Sequence, residues 1–273
     1  MRRLALALGL IGLAGNALAA DLPEFPPIAH EPIAYVPAFP TYFPWQGFYA
    51  GGQLTVADAS ADFSNTTQPL LALALRELTL ESEQQVSTWK VLGSSDTRSA
   101  GFGGFAGYNA QFDNALLGIE VNYTHSNLTV TAPEFPIGRQ TPQLSNGSAY
   151  QVNLSGSGTM QIHDFATLRA RFGWVVDNFV PYATLGLAAG RADFAISVSC
   201  NCVQLTPLVA FPFTQSEGKD QAFLYGYSVG GGLDVALTRN LFGRAEYEFI
   251  QFAPVFSVNS HIHVGRVGLG LKF

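Results

Sequence analysis

The chain has 273 residues, 48% of them apolar, which is enough core for one large domain or two small ones. Charged residues make up only 12%, against about a quarter in ordinary soluble domains, and the net charge is −6. Nothing resembles a basic stripe able to neutralise phosphates, which argues against nucleic acid; so few charges beside 28 Gly and 12% aromatics suit an exterior that touches lipid.

The N-terminus reads MRRLALALGLIGLAGNALAADLP. Arg2 and Arg3, a short apolar run from Leu4 to about Leu13 and the small residues ending at Ala19 and Ala20 form the pattern of a cleaved secretory signal over residues 1–20. The run falls short of the roughly 20 residues a membrane-spanning helix needs, and no longer one follows. Residues 21–44 hold seven of the 15 prolines and predict an extended, polyproline-like leader. A single domain is expected over 45–273.

From Trp45 onward the recurring signal is period two, which sends alternate side chains to opposite faces of a strand. Eight such runs occur, at about 46–58, 99–112, 115–128, 161–176, 180–198, 221–237, 240–252 and 261–273. Each reaches the roughly 9–11 residues that a tilted strand needs to cross a bilayer. In the third, Leu117, Ile119, Val121 and Tyr123 oppose Gly118, Glu120, Asn122 and Thr124; in the fourth, Leu168, Ala170, Phe172 and Trp174 oppose Thr167, Arg169, Arg171 and Gly173. The seventh sets Leu241, Ala245, Tyr247 and Phe249 against Arg244, Glu246 and Glu248.

Between the first two runs, PLLALALRELTL (69–80) and QVSTWKVLG (85–93) read either as an added hairpin, which makes ten strands, or as a short amphipathic helix with Arg76 and Glu77 exposed. Tight turns at Asp113-Asn114, Asp177-Asn178 and Arg239-Asn240 alternate with long connections at 59–98, 129–160 and 199–220 and a shorter one at 253–260. Short turns on one rim, long loops on the other and an even strand count predict an all-β fold: an eight-stranded antiparallel transmembrane β-barrel, polar inside and lipid-facing outside, both termini on the short-turn side. The competing soluble arrangement, a sandwich or lipocalin-like barrel, keeps its apolar face inward. Cys200 and Cys202, the only cysteines, are expected to form a local disulfide without a catalytic role.

WQGFYAGGQLT (45–55), GFGGFAGYNAQF (101–112) turning into LLGIEVNY, YATLGLAAG (182–190) and the closing VGLGLKF resemble the alphaproteobacterial Omp25/31-like outer-membrane family, surface antigens often labelled porin family proteins. The resemblance covers about 45–273 and implies an eight-stranded barrel in the outer membrane. It also implies haemin binding as a property of some relatives. Terminal Phe273 is similar to the signal by which outer-membrane assembly machinery recognises its clients.

Inward charges are expected at Glu120, Arg169, Arg171, Asp234, Arg244, Glu246, Glu248, Arg266 and Lys272, as a paired network filling a lumen that eight strands leave only wide enough for side chains. A narrow gated path for ions or small solutes is the alternative. His261 and His263 share a face of the last strand, a spacing able to offer two imidazoles to a metal or haem iron or to form a polar rim. His125 and His163 lie on other strands, and no nucleophile, base and acid stand out as a catalytic set. The expectation is a non-enzymatic protein without metal or cofactor that supports envelope integrity and displays surface loops. A small porin-like channel is the second reading and a haemin-binding or adhesin surface the third. Expected partners are outer-membrane lipid, the assembly machinery and periplasmic chaperones; the sequence sets no oligomeric state.

Overall fold

The computed structural model describes residues 44–273, so the predicted signal and all of the leader except Pro44 lie outside the described residues. In chain order the elements are β1 (Gly47–Asp62), α1 (Gln68–Leu75), α2 (Thr79–Gln84), β2 (Ser94–Phe112), β3 (Ala115–Thr131), β4 (Ile137–Gln140), β5 (Tyr150–Trp174), β6 (Phe179–Leu205), β7 (Leu208–Ala210), β8 (Phe213–Ala236), β9 (Leu241–Phe252) and β10 (Asn259–Lys272). Antiparallel pairing runs β5-β3-β2-β1-β10-β9-β8-β6, and β6 returns to β5. Eight strands therefore close a ring with no open edge at its core, which is how a sheet satisfies its backbone in lipid. β4 and β7 are short additions beside the ends of β5 and β6.

The tight turns fall where the sequence puts them, with Asp113 and Asp177 at φ 51° and 50°. Asp reaches this left-handed region more readily than most residues because its short side chain bonds locally. The segment 69–93 adds no hairpin. Pro69 in the first turn and a Leu/Ala run favour helix, and α1 with α2 folds over the barrel mouth, Leu71, Leu75 and Leu80 fully buried.

The strands overrun the predicted loops. β5 and β6 are 25 and 27 residues long, more than twice a membrane crossing. Most of 199–220 is hairpin, and 129–160 is strand up to Thr131, across β4 and again from Tyr150. These extensions form a tower beyond the barrel, built on opposite rules from the barrel itself.

In the barrel, the outward positions are apolar, such as Leu54, Val121, Phe172, Leu185 and Leu269, all between 52% and 67% exposed. In the tower the outward positions of β5 and β6 are Asn153, Ser155, Ser157, Ser197, Ser199 and Asn201, while Val152, Leu154, Met160, Phe194, Ile196 and Val198 are buried inside against Phe63 and α1. The two arrangements weighed from the sequence thus share one molecule, polar-in below and apolar-in above. A charge at mid-depth outside should separate them: Leu185→Arg is expected to cost about 2–4 kcal/mol, whereas Ser197→Arg on the same face of β6 should stay within about 0.5 kcal/mol. Urea unfolding in lipid vesicles reads both.

The crossover level is marked by bulges on both neighbours of β6. The β5 register slips between Ile162 and Asp164, and the β8 register slips opposite Ala192 and Phe194, where Gln221 adopts φ 52°. An extra residue bends and twists its strand, so the tower leaves the barrel here. Cys200 and Cys202 are disulfide-bonded, Cα atoms 5.3 Å apart, with both side chains in the tower core.

Candidate functional site

The lumen is filled in three layers. Nearest the tight turns lies an apolar floor of Trp45, Tyr49, Phe105, Leu116, Val180 and Phe242. Gly51 and Gly270 face each other across β1 and β10, and a Cβ on either would collide with the ring of Phe105 or Phe242. The aromatic–glycine texture of these strands is thereby explained, since each ring occupies the space a neighbouring glycine leaves.

Above the floor sit eight charged side chains, four Arg and four acids, each no more than 6% exposed. The sheet register brings them together: Glu120 on β3 faces Arg169 on β5, Asp234 on β8 faces Arg244 on β9, and Glu246 on β9 faces Arg266 on β10. Arg169 binds Glu246 at 2.7 Å and Glu248 at 3.2 Å and is also paired with Glu120. Arg244 binds Glu120 at 2.6 Å and Asp234 at 2.9 Å; Arg171 binds Asp234 at 2.5 Å. Arg266 binds Glu246 at 2.8 Å and Glu248 at 2.5 Å. Asp234, Glu246 and Glu248 each meet two guanidinium groups and Glu120 meets three, and the layer is neutral as a whole. A charge sealed from water is tolerable only with this degree of compensation.

Neutral groups that sequence reasoning did not single out complete the layer. Tyr49 donates to Glu120 at 2.7 Å and Tyr182 to Glu246 at 2.9 Å. The Arg244 guanidinium lies 4.1 Å from the Phe105 ring centre, and that of Arg171 lies 3.7 Å from that of Tyr182. Gln53 and Asn122 exchange amide hydrogen bonds of 2.8 and 3.2 Å. Their signal was present as inward parity; strand pairing across the ring was not. The third layer is the apolar tower core with α1 lying in it. Lys272 stands apart from the eight, half-buried at the turn end of β10. Phe273 is 77% exposed, its N–H bonded to the Phe48 carbonyl at 2.9 Å.

The predicted histidines lie outside the lumen. His261 and His263 alternate with buried Ile262 and Val264, and face outward beside Phe249 and Tyr247, whose hydroxyl is 2.6 Å from His263 Nδ1. His125 Nδ1 is 2.7 Å from Asp164, which also accepts from Tyr123 at 2.6 Å and pairs with Arg191. His163 Nε2 is 2.8 Å from Asp193. The Gln221 N–H and His163 together hold the Asp193 carboxyl below its ordinary range. With Arg98 and Asp58, 2.8 Å apart, these groups form a polar girdle at the top of the apolar belt. Among the described residues no group of three or more His, Cys, Asp or Glu is arranged to hold a metal.

A closed antiparallel ring, an apolar belt outside and compensated charges sealed inside define a transmembrane β-barrel. Residues 34–273 match the family described as outer membrane protein beta-barrel domain. The chain belongs to that family and is an outer-membrane protein, as the sequence resemblance implied. It is 26% identical over 171 residues to the 25 kDa outer-membrane immunogenic protein of Brucella ovis, covering 63% of this chain and 62% of that one. It is likewise 26% identical over 189 residues to the 22 kDa outer membrane protein of Rhizobium leguminosarum bv. viciae, covering 66% and 70%. The chain thus spans less than two thirds of the Brucella relative's length. These relatives are named as outer-membrane proteins, not as enzymes. Among solved structures it is similar to Ail, the attachment invasion locus protein of Yersinia pestis, at 14% identity and TM-score 0.37 over 83% of this chain and 99% of that one. Neisserial surface protein A is similar at 16% identity and TM-score 0.39 over 83% and 97%.

Proposed function

We propose that this protein is a non-conducting, non-enzymatic barrel that supports the envelope and carries its tower as a surface display. The observation that supports this is the sealed lumen: a neutral layer of four Arg and four acids, all buried, between an aromatic floor and an apolar core. An ion entering it would have to displace paired charges and then cross two apolar layers, each of which penalises a bare charge heavily. Short turns of such barrels face the periplasm and long connections face outside, so in this reading the tower is extracellular.

His261 and His263 beside Tyr247 and Phe249 read as part of the aromatic belt of an interface. Neither His125 nor His163 is hydrogen-bonded to a Ser, Thr or Cys, which supports the non-enzymatic reading. Partners in this reading are outer-membrane lipid and, during assembly, the outer-membrane machinery and periplasmic chaperones, with Phe273 as the recognition residue. Planar-bilayer recording of refolded protein is expected to show no stable, discrete openings. Stable openings that vanish in Glu246→Ala or Arg169→Ala would overturn the sealed-lumen proposal and favour a solute path.

A further inference from the structure

The outer face of the tower carries a cleft of about 710 Å³ that the sealed barrel does not use. It crosses β4, β5, β6 and the start of β8, a width of about 14 Å at the usual strand spacing. Its floor is a polar ladder of Asn153, Ser155, Ser199, Asn201 and Thr214. Ser199 and Thr214 hydroxyls lie 3.0 Å apart, and Asn153 donates to the Asn201 carbonyl at 3.3 Å. Pro136 walls one side and Pro212 the other, while their neighbours Ile137 and Phe213 turn inward onto the tower core. Gly138 pairs with Asn153, and a Cβ there would stand 3.2 Å from the Asn153 amide oxygen, so its absence keeps that amide open to solvent.

Three features restrict the occupant. No Asp, Glu, Lys, Arg or His lines the cleft, so neither an anion nor a cation finds a counter-charge. The centre of the floor is the face of β5 and β6, whose backbone groups are already paired on both sides, so a peptide strand could add only at the outer edges of β4 or β8 and not over the polar ladder itself. What remains are hydroxyls and amides, each able both to donate and to accept, between apolar walls. That is the complement of a ligand with many neutral hydroxyls and exposed C–H faces. We infer that the cleft binds a neutral oligosaccharide chain. This goes beyond the sealed-barrel proposal and rests only on the tower facing outside; bilayer conductance is blind to it, so the two can fail separately.

Full-length protein refolded in a detergent without sugar headgroups, titrated calorimetrically with short neutral gluco- and manno-oligosaccharides and with a heparin oligosaccharide, tests it. Saturable binding of at least one neutral sugar is expected, with heparin weaker. Loss of two amide contacts in Asn153→Ala/Asn201→Ala should weaken it roughly ten-fold or more, and Thr214→Val should weaken it through the lost floor hydroxyl. Gln161→Ala, on the same face of β5 but outside the cleft, should not. Each variant is first required to keep heat-modifiable gel migration. Absence of binding by every neutral sugar, preference for heparin, or unchanged affinity in both cleft variants would overturn the inference. Lipid-free polysaccharide from the producing cell's own surface and glycans from other cells form two further arms: binding of the first indicates organisation of the cell's own coat, binding of the second recognition of a foreign surface.

Discussion

Replacing Arg169 with Met is expected to destabilise the barrel by roughly 3–5 kcal/mol. Arg169 is the one guanidinium in the layer that pairs with three carboxylates, those of Glu120, Glu246 and Glu248, and its side chain is fully buried. Without it the layer carries a net negative charge in a medium walled by lipid, and Glu120, Glu246 and Glu248 each lose a guanidinium partner. Either a carboxyl takes up a proton or water is drawn in, and both are costly. Adding Glu246→Gln to Arg169→Met restores neutrality and should recover a large part of the loss. Urea titrations in vesicles measure each variant; a single substitution costing under about 1 kcal/mol, or a double no better than the single, would mean the charges are hydrated.

A comparable loss, confined to the other half, is expected from Leu71→Ala on α1. Leu71 is fully buried in the tower core. Truncating such a leucine costs about 2–5 kcal/mol, the spread set by how far the surroundings collapse into the void. Because α1 belongs to no ladder, its hold on the barrel mouth rests on this packing, and residues 63–93 should become open to protease. The ring below keeps its pairing, so heat-modifiable gel migration should stay as in the wild type. Slow cleavage like that of wild type, or a lost gel shift, would show that the halves do not respond separately.

The barrel was legible because lipid enforces a strict alternation. Leu117, Ile119, Val121 and Tyr123 against Gly118, Glu120, Asn122 and Thr124 fixed both strand and facing for β3, and the same reading put Arg169, Arg171 and Glu246 inside. The tower alternates just as regularly, with Tyr150, Val152 and Leu154 against Gln151, Asn153 and Ser155. Its outward set is polar, however, and rich in residues that usually signal loops, so 129–160 and 199–220 read as connections. The pairings within the charged layer were hidden for another reason. Parity tells which way Glu120 points; only the ring's register sets Arg244 of β9 beside it, 124 positions along the chain.

The bulge near His163 gives β5 something like a reading frame. Below it the odd residues Phe165, Thr167, Arg169 and Arg171 point inward; above it the even residues Val152, Leu154, Met160 and Ile162 do. One residue of extra length converts one phase to the other. A chain shortened by a single codon at this point would have to choose between presenting Arg169 and Arg171 to hydrocarbon and turning Met160 and Ile162 out to water. A change of side chain at the same position asks for no such choice. Over evolutionary time the family's length variation should therefore gather at the tips, around 141–149 and 206–207, while the level of Ala192 keeps its residue count even as its letters drift.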